Sequence, residues 1–80
     1  MEGTTISDPK KVLADNLKKL RTSAGISQEE LADRAGLHRT YVSSVERAQR
    51  NVTLENIFAL AKALGTTPAK LMHLPDEEEH

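Results

Sequence analysis

Three features of the sequence predict an all-α fold of five helices for this 80-residue chain. Apolar residues recur at helical spacing in several segments, which favours amphipathic helices. Residues typical of helix N-caps precede these segments, and glycines follow several of them. No segment shows the alternating pattern of a β-strand. A chain of this length has room for one small domain.

The first helix is predicted to begin at Pro9 and to end before Gly25. Asp8 can act as the N-cap acceptor, and proline is well tolerated at the first helical position. One face carries an apolar stripe of Val12, Leu13, Leu17 and Leu20. Residues 1–7 carry no such pattern, so we expect them to form a disordered N-terminus.

Two short helices joined by a turn are predicted next. Ser27, with a glutamate three residues later, forms a capping-box pattern that starts the second helix at Gln28. Gly36 supplies the positive φ that a tight turn requires. His38 or a neighbour caps a third helix over residues 39–46. This is a helix-turn-helix, whose second helix can enter the major groove of DNA.

The third helix has an outer face that is rich in hydrogen-bonding groups. Because Val42 and Val45 are expected to be buried, the residues left facing out, beside part of Tyr41, are Arg39, Thr40, Ser43, Ser44 and Arg47. Arginine can bond the N7 and O6 atoms of guanine, and threonine offers a hydroxyl and a methyl group to base edges. We interpret this face as a DNA-reading surface, although a solvated helix face has a similar composition.

A fourth helix is predicted from Thr53 to Gly65, and a short fifth helix opens at Thr67-Pro68. Their apolar residues exceed the number that one core stripe needs. They either close the monomer core or form a two-fold interface, and we predict the interface from Leu54, Ile57, Leu60, Leu71 and Met72. Two copies would present two recognition helices to successive major grooves, about 34 Å apart.

Charge is distributed unevenly along the chain, whose formal net charge is −1. Residues 76–79 hold four of the 12 acidic residues, so residues 1–75 hold eight acidic and 11 basic residues, a net charge of +3. We expect a folded DNA-binding domain over residues 8–75 and a disordered acidic tail over residues 76–80.

Metal, cofactor, enzymatic and membrane functions are not predicted. The chain lacks cysteine, and the positions of His73 and His80 do not match the sequence spacing of metal ligands. It also lacks a Ser-His-Asp set placed for proton relay and a glycine-rich phosphate loop. No apolar segment resembles a signal peptide or is long enough to span a membrane.

The segment "LRTSAGISQEELADRAGLHRTYVSSVERAQRNVTLENIFALAKALGTTPAKLM" resembles the lambda repressor/Cro-like (XRE-type) helix-turn-helix family. Within it, "RTYVSSVERAQRNVTL" is most similar to controller proteins of restriction–modification systems. The resemblance extends over residues 10–74. It implies a compact lambda-repressor-like domain in a cytoplasmic, nucleoid-associated regulator of bacterial or phage type.

The same resemblance implies how such a regulator works. It would be a homodimer that binds a palindromic operator in double-stranded DNA. As a repressor or activator of transcription, it would occlude or recruit RNA polymerase at a promoter.

The resemblance also implies roles for individual residues. Base-reading positions are occupied by Arg39, Thr40 and Ser43, with Ser44 as a further candidate. Contacts to the DNA backbone are expected from Gln28, Tyr41, Arg47, Arg50 and Asn51. Arg21 and Glu46 are expected to form a structural ion pair. His38 departs from the controllers, which commonly place Asp or Asn before the recognition helix.

Two alternative functions remain open from the sequence. One is an antitoxin that pairs with a separate toxin and represses its own operon. The other is a protein-interaction module that has lost DNA binding. Steep loss of affinity with salt would separate DNA binding from the second alternative, because phosphate contacts release counterions.

Overall fold

The computed structural model describes residues 8–75, and within this range it contains five helices and no strand. They are α1 (Pro9–Ala24), α2 (Gln28–Ala35), α3 (Arg39–Glu46), α4 (Leu54–Ala63) and α5 (Pro68–Leu71). The prediction of an all-α, five-helix fold is therefore confirmed. The predicted N-terminal segment 1–7 and acidic tail 76–80 lie outside the described residues.

Local capping explains where the helices begin. Each first turn donates a backbone N–H to a side chain just before the helix, and these N-cap residues are Asp8, Ser27, His38, Thr53 and Thr67. Gly36, at φ 72°, closes α2 two residues before the cap of α3. A side chain with a Cβ rarely adopts this backbone conformation, so the tight turn depends on glycine.

One apolar core joins all five helices. Its buried side chains are Val12, Leu13, Ala14, Leu17, Leu31, Ala32, Val42, Val45, Leu60, Ala61 and Leu71. The α3 helix packs against α1 and α2, while α4 packs against α2 and α5. Each fully buried leucine or valine contributes roughly 1.5–3 kcal/mol. The core therefore holds α3 by one face and leaves its opposite face outside.

The end of the described chain is tied to the first helix by a polar contact. Asn16 Nδ2 donates to the carbonyl oxygen atoms of Leu71, at 2.7 Å, and His73, at 2.9 Å. These bonds satisfy carbonyl groups at the end of α5, which a four-residue helix cannot pair internally. The contact fixes α5 against α1.

Two residues that the sequence assigned to a subunit interface belong to the monomer core instead. Leu60 and Leu71 are both fully buried within one chain, because α4 packs against both α2 and α5. Ile57 and Met72 are half-buried against the same core. Of the five predicted interface residues, Leu54 remains largely exposed.

Exposed apolar side chains occur on α4 and after α5. Leu54 and Phe58 are 69% and 57% exposed on α4, and Leu74 is partly exposed after α5. Leu54 and Phe58 are four residues apart, so they lie on the same face of the helix. No helix within residues 8–75 has the length and apolar character needed to cross a membrane.

Candidate nucleic-acid interface

The α3 helix is positioned by its contacts with α2 and by the turn between them. Leu37 N donates to Ala32 O at 2.8 Å, which closes the end of α2 beyond Gly36. Val42 and Val45 are buried in the core beside Leu31. As in the helix-turn-helix arrangement that the sequence predicts, the side of α3 opposite these valines faces outward.

Five of the predicted DNA-contacting residues line one shallow surface depression of about 210 Å³. They are Gln28, Arg39, Thr40, Ser43 and Arg47. Two of the five carry a guanidinium group, and none carries a carboxylate. The depression is therefore cationic and rich in hydrogen-bond donors, a combination that suits phosphates and the acceptor atoms of guanine.

Two of these side chains interact with each other at the end of α3. Arg47 Nη1 donates to Ser43 Oγ, and Arg47 Nε donates to Gln49 Oε1 at 3.2 Å. Arg47 therefore lies back along the helix, one turn from Ser43. Its guanidinium group is oriented by these bonds and stays exposed.

The structure corrects the expected outward placement of Ser44. Ser44 is 7% exposed, and its hydroxyl donates to Tyr41 O at 2.8 Å. The same oxygen accepts from Arg50 Nε at 2.9 Å. Ser44 lies at the border of the buried face, beside Val45, and Arg50 folds back over it. Its hydroxyl is thus an internal support and is not available to base edges.

Tyr41 and Arg50 contact each other beside the outer face of α3. The Arg50 guanidinium carbon lies 5.2 Å from the centre of the Tyr41 ring, within the range of a cation–π contact. Asn56 Nδ2 on α4 donates to the Tyr41 hydroxyl at 3.0 Å. Sequence reasoning missed Asn56, because no local pattern indicates a contact with a residue 15 positions earlier.

The loop after α3 lies near the start of α1. Arg50 and Asn51, with Pro9 and Lys10, are among the residues that line a second depression of about 160 Å³. Arg50 and Asn51 are both exposed. Lys10 adds a cation beside the loop, and this neighbour was not predicted because it lies 40 positions away in the sequence.

Arg21 and Glu46 form the expected ion pair, which ties the end of α3 to α1. Arg21 Nε and Nη2 donate to the Glu46 carboxylate at 2.6 and 3.1 Å, and Arg21 Nη1 donates to Ile26 O at 2.9 Å. The Glu46 side chain is 3% exposed. Its hydrogen bond and charge raise the pKa of Arg21 above the usual value, and burial opposes this effect.

The buried Glu46 carboxylate also contacts a residue that lines the cationic depression. Gln28 Nε2 donates to Glu46 Oε1 at 2.9 Å. Gln28 is the first residue of α2 and lines the cationic depression. Glu46 therefore orients the amide that the sequence assigned to the DNA backbone, and one N–H of that amide is occupied by the bond.

The N-terminal end of α3 is capped by an exposed imidazole. His38 Nδ1 accepts from Thr40 N at 3.4 Å and lies 3.0 Å from Thr40 Oγ1. A histidine can thus act in place of Asp or Asn at this position. Residues 8–75 contain no group of three His, Cys, Asp or Glu side chains placed to hold a metal ion.

Comparisons with known proteins agree on one family. The helix-turn-helix family model matches residues 17–71. The control protein C.SmaI of Serratia marcescens is 52% identical over 65 residues, which cover 81% of this chain and 77% of that protein.

Two solved structures extend the likeness to the fold. The restriction–modification controller protein C.AhdI from Aeromonas hydrophila has a TM-score of 0.76 and 50% identity, covering 78% of this chain and 94% of that chain. The hypothetical transcription factor NHTF from Neisseria has a TM-score of 0.85 and 42% identity, covering 99% of this chain and 93% of that chain.

Proposed function

Because the chain belongs to the helix-turn-helix family of DNA-binding transcription regulators, we propose that it acts as a homodimer on a palindromic operator. The α3 helix would lie in the major groove, with Arg39, Thr40 and Ser43 facing base edges. The observation that carries this proposal is the cationic depression, which brings these three residues together with Gln28 and Arg47.

Residues around the depression would hold the DNA backbone. Gln28 at the start of α2 would approach a phosphate near the helix N-terminus, with its amide oriented by Glu46. Arg50, whose guanidinium group lies over the Tyr41 ring, and Asn51 would add contacts from the second depression, which they line. Arg50 would bind phosphate through its two terminal guanidinium nitrogen atoms, because its bond to Ser44 uses Nε.

A second copy of the chain is the partner favoured by the exposed apolar side chains, which are Leu54 and Phe58 on α4 and Leu74 after α5. One recognition helix reads too few base pairs to select a site in a genome. Two copies joined through α4 and the region after α5 would read two half-sites about 34 Å apart. Ile57 and Met72 are half-buried, so they can contribute at the edge of such an interface.

The biological role that the relatives favour is control of a restriction–modification system. C.SmaI is named a control protein, and C.AhdI is named a restriction–modification controller protein. The present chain would regulate a promoter by occluding or recruiting RNA polymerase. This role is regulatory and requires no catalytic step.

The deciding experiment is selection of bound sequences from a random pool of double-stranded DNA. Fluorescence anisotropy on the selected site then follows affinity across a salt series. We expect a palindrome with half-sites about one helical turn apart and a steep fall of affinity with salt. If no DNA sequence is enriched and binding is weak and independent of salt concentration, the proposal is contradicted. The search would then turn to protein partners.

A matched pair of variants tests the backbone contacts. Arg50→Ala should weaken binding to all sequences and reduce the salt slope by about one. Arg34→Ala removes an exposed arginine whose Nε donates to Glu30, outside the depression. It should leave both the affinity and the salt slope nearly unchanged. Equal effects of the two variants on affinity and salt slope would show that Arg50 does not contact the DNA backbone.

The dimer is tested by placing a charge on the exposed apolar face of α4, which carries Leu54 and Phe58. Phe58→Asp should shift the protein from dimer to monomer in sedimentation experiments and weaken binding to the full palindrome. Phe58 is exposed, so the substitution leaves the monomer core intact. Ser23→Asp adds the same charge at an exposed position of α1 and should leave the dimer unchanged. A Phe58→Asp protein that remains dimeric would place the interface elsewhere.

A further inference from the structure

We propose that His38 determines whether the Thr40 hydroxyl donates or accepts a hydrogen bond at the DNA surface. In this way His38 would determine which base edges Thr40 can bind. The inference rests on the proposed function, in which Thr40 faces the bases. His38 touches no DNA in this proposal. It is a positioning residue that makes Thr40 a hydrogen-bond acceptor toward the major groove.

The first step is the tautomer of the imidazole. His38 Nδ1 accepts from the backbone N–H of Thr40 at 3.4 Å. A backbone N–H can only donate, so Nδ1 must carry its lone pair and the ring proton must be on Nε2. The N-cap bond therefore selects the Nε2–H tautomer, which the contact between Nδ1 and Thr40 Oγ1 by itself leaves open.

The second step is the direction of the hydroxyl. Thr40 Oγ1 lies 3.0 Å from the same Nδ1. Because Nδ1 has no proton in this tautomer, the hydroxyl is the donor in this contact, and it shares the single Nδ1 lone pair with the more distant backbone N–H. A hydroxyl has one hydrogen, so that hydrogen is committed to His38 and only oxygen lone pairs remain for other partners.

The third step is the consequence at the DNA surface. Thr40 is exposed and lines the cationic depression. With its hydrogen directed at His38, it would accept from the exocyclic amino group of adenine N6 or cytosine N4. It would not donate to guanine O6 or thymine O4. The ligand chemistry is therefore a base that presents an amino donor to Thr40.

A neighbouring hydroxyl has the opposite polarity and serves as an internal reference. Ser43 Oγ accepts from Arg47 Nη1, so its own hydrogen is still available for donation. Ser43 lies one helical turn after Thr40 on the same face. The two hydroxyls thus differ in what they can offer to DNA, although both belong to small alcohol side chains.

The test is a set of affinities on the selected operator and all of its single base-pair variants. Thr40→Val first identifies the base pair that Thr40 reads, because valine keeps the shape and removes the hydroxyl. The contacted base is then replaced by its analogue without the exocyclic amino group. In the unmodified protein this replacement should lower the affinity about three- to ten-fold, as expected for one neutral hydrogen bond.

Variants at His38 separate polarity from capping. His38→Ala removes the acceptor, so the hydroxyl can rotate and the amino group should no longer be preferred. His38→Asn supplies an amide oxygen that can accept at the N-cap, and it should retain the preference. In a Thr40→Val background, His38→Ala should leave the base preference at this pair unchanged.

Several outcomes would overturn the inference while leaving the proposed function intact. One is a His38→Ala protein that loses affinity evenly for all variants, which is the signature of a cap alone. Another is no change in base preference with Thr40→Val. A third is insensitivity of the unmodified protein to loss of the amino group. If that protein selects no DNA sequence at all, the proposed function fails and the inference fails with it.

Discussion

The two ends of α3 are held by interactions of opposite character. At the C-terminal end, the buried Glu46 carboxylate receives hydrogen bonds from Arg21 and Gln28. At the N-terminal end, the exposed His38 imidazole accepts a single backbone N–H at 3.4 Å. One end is fixed by charge at a buried carboxylate, and the other by an exposed imidazole cap.

Under the proposed function, this difference separates the end of α3 that stabilises the fold from the end that would recognise the DNA sequence. Removing one member of a buried ion pair leaves an uncompensated charge, which is costly. Removing an exposed cap costs only about 1 kcal/mol. The end of α3 that fixes the helix on the core is therefore intolerant of change. The end that carries Arg39 and Thr40 tolerates change better, and under the proposed function variation there would change the DNA sequence that is recognised.

The largest expected effect is that of Glu46→Ala on stability. Loss of the carboxylate leaves Arg21 buried without its partner, so the free energy of unfolding should fall by about 3–5 kcal/mol. Chemical denaturation followed by circular dichroism measures the change. Glu30→Ala is the control, because its ion pair with Arg34 is exposed and should contribute about 0–1 kcal/mol.

A double variant sharpens the same point. Arg21→Met with Glu46→Leu removes both charges and fills their space with apolar atoms. It should recover most of the stability that Glu46→Ala loses, since buried pairs are often replaceable by hydrophobic residues. An unchanged melting temperature for Glu46→Ala would show that this end of α3 is not fixed by the ion pair.

An intermediate effect is expected at the opposite end of α3, in binding and not in stability. Arg39→Ala should weaken binding to the preferred operator by roughly 1–3 kcal/mol and relax the choice at one base pair. Its melting temperature should stay unchanged, because Arg39 is exposed. Anisotropy on single base-pair variants measures the effect. An equal loss on random DNA would instead assign Arg39 to a phosphate.

The smallest expected effect is that of Ser44→Ala, between the two ends. The hydroxyl supports Tyr41 O and Arg50, so its loss should lower the free energy of unfolding by about 0.5–1.5 kcal/mol. Affinity should fall slightly and evenly across sequences, because Arg50 is less well oriented. Selective relaxation at one base pair would show that Ser44 reads DNA after all.

Much of the fold follows from local chemistry. Asp8-Pro9, Ser27 and Thr53 begin helices in the structure because a cap needs only its own side chain and the next few N–H groups. The inward faces of α1 and α3 could be predicted for a similar reason. In each, a stripe of apolar residues at helical spacing leaves one possible buried side.

The α4 helix shows where such prediction ends. Apolar residues occur all around it, so periodicity alone cannot assign Leu60 to the core and Leu54 to the surface. The packing of α2 and α5 against α4 makes that distinction. Ser44 is a second case, because its hydroxyl is buried and accepts a hydrogen bond from Arg50 in the following loop, which helical periodicity does not indicate.

The sequence by itself determined the helix-turn-helix and most of the outer face of α3, and its resemblance to known proteins indicated the family. The helix-turn-helix and the outer face depend on caps, on a glycine turn and on helical periodicity, all of which act within a few residues. Only the tertiary structure decided the roles of Ser44, Leu60 and Leu71, the bond from Glu46 to Gln28, and the bond from Asn56 to Tyr41. Apart from Ser44, whose partners are three and six positions away, those features join residues distant in sequence, where burial and hydrogen bonding depend on how the helices pack.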